Sequence, residues 1–251
     1  MAAKRTTMKK AKATAKPRGS RVRSKPAPVT KLRNPDETRR RLLDAATKEF
    51  CDHGFHGARI DRIAARAGAN KRLLYAYVGD KEQAYLQVLE QAYQEIRSGE
   101  RMLNMERMSP EEGMRTLARF TFQHFQRHPN FIRLLIGENL NEARFLKRSA
   151  VIQDMHSPLV DQIRALLKRG ETEGVFRKSV DPVQLYISIA ALGFFYLSNR
   201  YTLSTIFGMD LMSSERLLAR EEHIVALVMG YLAVDQASDM THSKMKRVAG
   251  S

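Results

Sequence analysis

The sequence places a helix-capping residue directly before proline at four points: Asn34-Pro35, Ser109-Pro110, Ser157-Pro158 and Asp181-Pro182. Such a pair begins an α-helix, because the capping side chain accepts an unpaired backbone N–H and proline carries no N–H in the first turn. Glu37 and Glu112 stand three residues after two of these caps, as in a capping box. The repeated pattern predicts a largely helical chain.

Apolar residues recur at helical spacing between these starts, and neither an alternating strand pattern nor an internal repeat interrupts them. Leu42, Ala46 and Phe50 share one face of the first helix, which Gly54 should end. The last two long helices, predicted at 181–203 and 215–234, are apolar over wide faces and need burial on both sides. We therefore predict an all-α fold of about nine helices that forms a homodimer through these two.

The positive charge of the chain is concentrated at its N-terminus. The 251 residues contain 43 Lys+Arg and 27 Asp+Glu, a net charge of +16. Residues 1–33 hold 12 basic residues and no acidic one, whereas residues 81–235 hold 19 of each. We predict a disordered basic tail over 1–33 and a flexible tail over 236–251. The first could bind DNA phosphates without sequence preference or serve only to keep the protein in solution.

Several protein classes are disfavoured by what the sequence lacks. Cys51 is the single cysteine, which excludes a disulfide framework. No apolar run reaches the roughly 18–20 residues that span a bilayer, and no apolar segment follows the basic N-terminus as in a signal peptide. His124 and His128 lack a third ligand at diagnostic spacing, and no HExxH, P-loop or GxSxG occurs. We expect a cytoplasmic, nucleoid-associated protein with no membrane partner, enzymatic activity, metal or cofactor.

Two short predicted helices flank a glycine turn and follow the first long helix. Ile60, Ile63 and Ala67 mark the first short helix, and Gly68 allows a tight turn with positive φ. Asn70 can cap the second, over 71–78, which exposes charged and aromatic residues while Leu74 and Val78 can face inward. This plan is the helix-turn-helix, whose second helix enters the major groove of DNA.

At the level of residues, the segment from Arg40 to Glu90 resembles the DNA-binding domain of the TetR family of transcriptional repressors. The matching signatures are Ala45-Ala46, Phe50, Gly54-Phe55, Ile63-Ala64, Ala67-Gly68, Leu74-Tyr75 and Asp80-Lys81-Glu82. The resemblance implies a DNA-binding domain at 34–81 and a ligand-binding and dimerisation domain at 82–235. It also implies a double-stranded DNA operator and a small-molecule effector as partners.

The resemblance assigns roles to individual side chains. Lys71 and Arg72 begin the recognition helix and are the expected base contacts, since Arg pairs well with guanine. The expected phosphate or groove contacts are Arg59, Tyr75, Tyr77 and Lys81. Family members usually carry Thr or Ser where Ala58 and Arg59 stand, so the second helix lacks its usual cap.

Aromatic and polar residues of the later helices are candidates for an effector pocket. They are Phe122, His124, Phe125, Phe131, Glu138, Asn139, His156, Phe195, Asn199 and Arg200. Arg or His would suit an organic anion, and Glu138 a cation or a hydrogen-bond donor. The overall prediction is a dimeric repressor that an effector releases from a palindromic operator. The alternative is a non-specific or architectural nucleic-acid-binding protein on the same scaffold.

Overall fold

The computed structural model describes residues 34–154 and 156–234, together with their side chains except those of 153–157. The tails predicted at 1–33 and 236–251 lie outside the described residues. So do the side chains of Ser157, a predicted helix cap, and of His156, a predicted pocket residue.

The described residues form eleven α-helices and no β-strand, which confirms the all-α prediction with two helices more than expected. Short 3-10 turns lie at Met105–Arg107 and Leu146–Arg148. The α-helices are α1 Pro35–Gly57, α2 Ile60–Arg66, α3 Lys71–Val78, α4 Lys81–Met102, α5 Pro110–Arg127, α6 Pro129–Leu140, α7 Ala150–Asp154, α8 His156–Thr172, α9 Pro182–Ser198, α10 Arg200–Phe207 and α11 Ser214–Leu232.

Most helix starts follow the capping signals of the sequence. The Asn70 side chain accepts the backbone N–H of Leu73 at 2.9 Å and so begins α3. Asp80 and Gln83 form a full capping box at α4, in which each side chain accepts the backbone N–H of the other residue. The side chains of Ser109 and Asp181 also cap α5 and α9 by accepting backbone N–H groups of the first turn.

Two parts of the helical pattern differ from the prediction. The helix expected over 181–203 ends at Ser198, because Asn199 leaves the helical conformation at φ −102° and ψ 13°. Its Nδ2 donates to the carbonyl of Phe195 at 3.0 Å, and α10 then begins at Arg200. Gly54 interrupts α1 at φ 64° and ψ 176°, as predicted, but one more helical turn follows it up to Gly57.

A single hydrophobic core runs through the described part of the chain. Leu42, Ile63 and Leu74 lie buried where α1, α2 and α3 meet. Phe122 and Leu232 belong to the same cluster in the later bundle, where α5 packs against α9 and α11. The helix α4 contacts α1 and α3 as well as α5 and α8. It therefore links the short N-terminal helices with the bundle, and α6 makes a second link because it contacts α1 as well as α5 and α9.

Candidate nucleic-acid interface

The turn between α2 and α3 has the conformation that its glycine predicts. Gly68 adopts φ +59°, which strains residues with a side chain. The guanidinium of Arg41, on α1, donates to the carbonyl of Ala67 at the end of α2. Since Ala64 and Leu74 are buried beneath the turn, the relative placement of α2 and α3 is fixed by packing and by this contact from α1.

The start of α2 is held by a side chain from another helix. Arg59 stands at the N-cap without making a side-chain cap, as the absence of Ser or Thr led us to expect. Its backbone N–H instead donates to Glu49 Oε1 at 3.0 Å, and Arg62 Nε donates to the same oxygen at 2.6 Å. Burial acts to raise the pKa of Glu49, but these two hydrogen bonds and the nearby positive charges outweigh it and lower the pKa.

One side of α3 faces solvent and carries the predicted base contacts. Lys71 Nζ pairs with Asp61 Oδ1 at 2.6 Å, and both side chains are exposed. Arg72 is exposed, and it has no hydrogen bond or ion pair among the described residues. Tyr75 is 53% exposed on the same helix, and Leu73, which sequence reasoning did not select, is 40% exposed. The outer surface of α3 therefore combines one uncommitted guanidinium with groups that can contact a groove.

The other predicted phosphate or groove contacts are more enclosed. Tyr77 is partly buried against the core, whereas Arg59 is exposed. Lys81 is partly buried, with Nζ donating to the carbonyl of His56 at 3.2 Å and lying 4.8 Å from the ring centre of Phe55. Burial is the main cause that lowers the pKa of Lys81. A phosphate contact by Lys81 requires its ammonium to turn away from His56.

An aromatic cluster joins α1 and α4 to the segment after α6. The rings of Phe55 and Phe145 lie 4.4 Å apart, and Tyr85 contacts both at 5.2 and 4.9 Å. Beside the cluster, the carboxylate of Glu82 on α4 pairs with Arg144 at 2.8 Å and with Arg148 at 2.6 Å. The two helices that contact α3 from this side, α1 and α4, are thus joined to the segment between α6 and α7.

Several residues predicted to line an effector pocket are core residues. Phe122, His124, Phe125 and Phe131 are buried, and the ring centres of His124 and Phe131 lie 5.8 Å apart. Glu138 is also buried, and its Oε1 accepts the backbone N–H groups of the 3-10 turn that follows α6.

The remaining described candidates lie elsewhere. Asn139 is exposed, and Phe195 is 60% exposed on α9. Asn199 and Arg200 are partly buried where α9 gives way to α10. The structure thus brings His124, Phe125 and Phe131 together but does not gather the whole predicted set around one point.

Sequence reasoning missed a buried charged cluster between α4 and α9. Arg97 Nη1 lies 2.5 Å from Glu100 Oε2, and Arg97 Nη2 donates to the hydroxyl of Tyr186 at 2.8 Å. Arg97 and Glu100 are only 3% and 2% exposed. The apolar stripe of α4 through Leu89 and Ile96 could have revealed it, because the helical period carried one turn further reaches Glu100.

These features can be set beside known proteins. Residues 42–88 match the family described as bacterial regulatory proteins of the tetR family, and residues 110–228 match the tetracyclin repressor-like C-terminal domain. The HTH-type transcriptional repressor NicS of Pseudomonas putida is 34% identical over 180 residues, which cover 72% of this chain and 85% of NicS. The chain belongs to the TetR family.

Other relatives agree with this assignment. The HTH-type transcriptional repressor SCO4008 of Streptomyces coelicolor is 32% identical over 164 residues, covering 64% of this chain and 78% of the relative. The crystal structure of the regulator SCO4942 from the same species superposes with a TM-score of 0.60 at 25% identity, over 78% of this chain and 98% of that one. This TetR-family protein is a DNA-binding transcriptional regulator. Within 34–154 and 156–234, no helix is long and apolar enough to cross a membrane.

Proposed function

We propose that this TetR-family regulator is a repressor that binds a palindromic operator as a homodimer and is released by a small-molecule effector. The observation that carries the proposal is the solvent-facing side of α3, where Arg72 has no partner within the described residues. A guanidinium presented by a helix of this size suits the O6 and N7 atoms of guanine in the major groove. The proposed activity is binding, in the cytoplasm and at the nucleoid, without a chemical step.

The remaining DNA contacts follow from where the side chains lie. Lys71 would have to open its exposed ion pair with Asp61 to reach a base, which costs little because such pairs are weak. Tyr75 and the exposed Arg59 are positioned for phosphate or groove contacts. Tyr77 and Lys81 are partly buried, so we propose that they act at the edge of the interface.

An exposed apolar surface on α9 and α11 supports the dimer. Ile187 and Phe195 on α9 are 52% and 60% exposed, and Leu227 and Tyr231 on α11 are also exposed. A groove of about 560 Å³ runs between Phe195 on one side and Leu227 and Tyr231 on the other, with Leu192 in its wall. Apolar residues concentrated on one surface indicate a protein contact, and a two-fold dimer buries the same surface on both copies.

Two-fold symmetry sets the form of the operator. The two copies of α3 would occupy successive major grooves on one side of the duplex, about one helical turn or ~34 Å apart. The operator is then a palindrome whose half-sites have that spacing. An effector would act by favouring a dimer conformation in which the two α3 helices no longer match this spacing.

A competition experiment tests the proposal against non-specific nucleic-acid binding. The affinity of the full chain for the palindrome beside its own gene is measured against a scrambled duplex of equal length and composition. We expect a preference of at least about 1,000-fold for the palindrome, the lower end of what specific regulators show. Equal affinities would contradict operator recognition and support the non-specific alternative.

Deletion of residues 1–33 separates the contribution of the basic tail. If the tail binds phosphates, the deletion weakens binding to both duplexes alike and flattens the dependence of affinity on salt. If it serves only solubility, the affinities stay unchanged. A loss of discrimination on deletion would contradict the assignment of base reading to α3.

A further inference from the structure

Burying the charged cluster of Arg97, Glu100 and Tyr186 costs free energy of folding, because its charges lose their contacts with water. This cost indicates that the cluster has a function besides stability. A buried ion pair seldom stabilises a fold more than well-packed apolar residues of the same volume. Tyr186 reaches the cluster from α9, whereas Arg97 and Glu100 lie one helical turn apart on α4. The cluster therefore lies between two helices of the proposed effector domain.

Several polar atoms of this region are buried without a hydrogen bond in the described structure. They are Arg97 Nε, Glu100 Oε1 and His124 Nε2. Each buried polar atom without a hydrogen-bond partner lowers the stability of the fold, because it has lost its contacts with water. Arg97 thus presents an unused donor, and Glu100 presents an unused oxygen that accepts when the carboxyl is ionised and donates when it is protonated.

The charges of the cluster favour an anion over a cation. Burial raises the pKa of Glu100 to about 7, against the lowering effects of Arg97 and Arg101, so Glu100 can take up a proton near neutral pH. Arg97 cannot give up its proton in this range. An anionic ligand can therefore replace Glu100 as the partner of Arg97 without leaving a net buried charge, whereas a cationic ligand cannot replace Arg97.

The other groups around Glu100 do not oppose this exchange. Tyr186 faces the cluster from α9, and the facing residues from α8 are Pro158, Leu159 and Gln162, none of which is ionisable. Burial is the main cause that lowers the pKa of His124, on α5, to about 4, so its ring is neutral near pH 7.

We infer that Arg97 and Glu100 form the polar end of the effector site and that the effector is a small organic carboxylate. The inference rests on the proposed effector control. The carboxylate accepts from Arg97 at one oxygen and from the protonated carboxyl of Glu100 at the other. Tyr186 holds the guanidinium in place from α9 and acts as a positioning residue.

Binding has to alter the packing of α4 against α8. The cleft beside the cluster has a volume of about 10 Å³, which leaves room for about one water molecule and not for a carboxylate. A carboxylate must therefore displace Leu159 and Gln162. Since α4 also packs against α1 and α3, this displacement offers a route from the effector to the DNA-binding helices.

The test uses the full chain and a matched set of probes. Acetate, hexanoate, octanoate and benzoate are compared with their carboxamides and with the corresponding primary amines, and the melting temperature is recorded with each. We expect at least one carboxylate to raise the melting temperature by several degrees, and its carboxamide and amine to have no such effect. Stabilisation by the amine or the carboxamide, or by none of the carboxylates, would overturn the inference.

Variants locate the bound carboxylate. Arg97→Met with Glu100→Met replaces the pair by apolar side chains of similar length, which proteins often accept without loss of stability. This double variant should lose the carboxylate response, whereas the same changes at the exposed pair of Arg164 and Asp161 on α8 should leave it intact. Tyr186→Phe removes only one hydroxyl, so the protein should still fold. The rise in melting temperature on adding the carboxylate should be at least several-fold smaller. A carboxylate response that persists in both variants would place the ligand elsewhere.

Operator binding is measured separately on the same proteins. The Arg97→Met/Glu100→Met variant should bind the operator as the unsubstituted chain does and should not be released by the carboxylate. If the unsubstituted chain shows no operator preference, the proposed function fails while the thermal response still reports on the site. If carboxylates stabilise the protein through Arg97 but leave the operator bound, the effector assignment is overturned.

Discussion

Glu49 Oε1 lies 2.6 Å from Arg62 Nε and 3.0 Å from the backbone nitrogen of Arg59. A buried carboxylate of α1 therefore holds the beginning of α2, at an N-cap position whose own side chain makes no cap. The side chain of Arg62 also donates to the carbonyl of Gly57 at 2.6 Å. These contacts fix α2 to α1 and thereby set the base on which α3 rests.

Replacement of Glu49 should destabilise the protein. Glu49→Ala leaves the N–H of Arg59 without its acceptor and removes the partner of Arg62, so we expect the free energy of unfolding to fall by about 1–3 kcal/mol. Urea denaturation at neutral pH measures the change. Asp52→Ala, which removes an exposed carboxylate from the same helix, is the matched control and should cost less than about 1 kcal/mol. Equal losses for the two variants would contradict the role of Glu49.

Arg72 and Asp61 should affect operator binding in different ways. Arg72→Ala removes the proposed guanine contact. We therefore expect the free energy of binding to weaken by about 1–3 kcal/mol on the preferred palindrome and to change little on scrambled DNA. Asp61→Ala frees Lys71 and removes a negative charge near the phosphates, so it should tighten binding to both duplexes. Fluorescence anisotropy at fixed salt measures both. A uniform loss for Arg72→Ala would reassign Arg72 to phosphate binding.

The proposed dimer predicts the effect of a charge on α11. Leu227→Glu would place an unpaired carboxylate in the buried surface and should raise the dimer dissociation constant at least 100-fold, or about 2.7 kcal/mol. Sedimentation velocity across a dilution series measures this constant. Leu140→Glu adds the same charge to a leucine that is 81% exposed at the end of α6 and should leave the dimer unchanged. The dimer surface lies elsewhere if both variants behave alike.

Two buried groups should give opposing pH dependences of stability. Burial raises the pKa of Glu100 from 4.5 to about 7, so the stability it contributes below about pH 4.5 is lost as the pH rises to about 7. Burial is the first cause that lowers the pKa of His124 from 6.5 to about 4, so the stability present above about pH 6.5 is lost as the pH falls to about 4. Each effect amounts to about 3 kcal/mol at most. In the native chain these two changes in the free energy of unfolding largely cancel between about pH 4.5 and pH 6.5.

Single substitutions should separate the two effects. Relative to the native chain, the unfolding free energy of Glu100→Gln should rise more steeply with pH between about 4.5 and 6.5, and that of His124→Gln should fall. Urea titrations at several pH values measure these slopes. Glu111→Gln, at an exposed position of α5, controls for the loss of one carboxylate. If the unfolding free energy varied with pH in the same way for both variants and the native chain, the pH dependences could not be assigned to Glu100 and His124.

The sequence predicts those features that depend on neighbouring residues. The caps at Asn70 and Asp80 involve residues within one helical turn, and the structure confirms them. The contact between Glu49 and Arg59 spans ten positions and depends on how α1 meets α2, so no local pattern reveals it. The end of α9 at Ser198 is not predicted for another reason: neither glycine nor proline marks it, and the change of conformation falls at Asn199.

The candidate site also has a part that neighbouring residues determine and a part that depends on tertiary packing. The exposed side of α3 follows from one short helix and its cap, which is why Lys71, Arg72 and Tyr75 could be chosen from the sequence. Arg97 and Glu100 are spaced like a solvent-exposed ion pair on a helix, and although the apolar stripe of α4 points to the side that Glu100 shares, only the packing of other helices shows which groups the pair contacts. The effector pocket depends on which helices meet, and that information is distributed over the whole bundle.

The contacts around Phe145 bear on the design of chimeric regulators. A DNA-binding segment cut from this chain near Lys81 would leave Phe55 without the rings of Tyr85 and Phe145 that now cover it. Grafting that segment onto a foreign effector domain should therefore yield a poorly soluble protein unless the recipient supplies an equivalent aromatic pair. A graft that includes α4 and the loop carrying Phe145 keeps the contacts among Phe55, Tyr85 and Phe145. Such a graft is the better starting point for a biosensor.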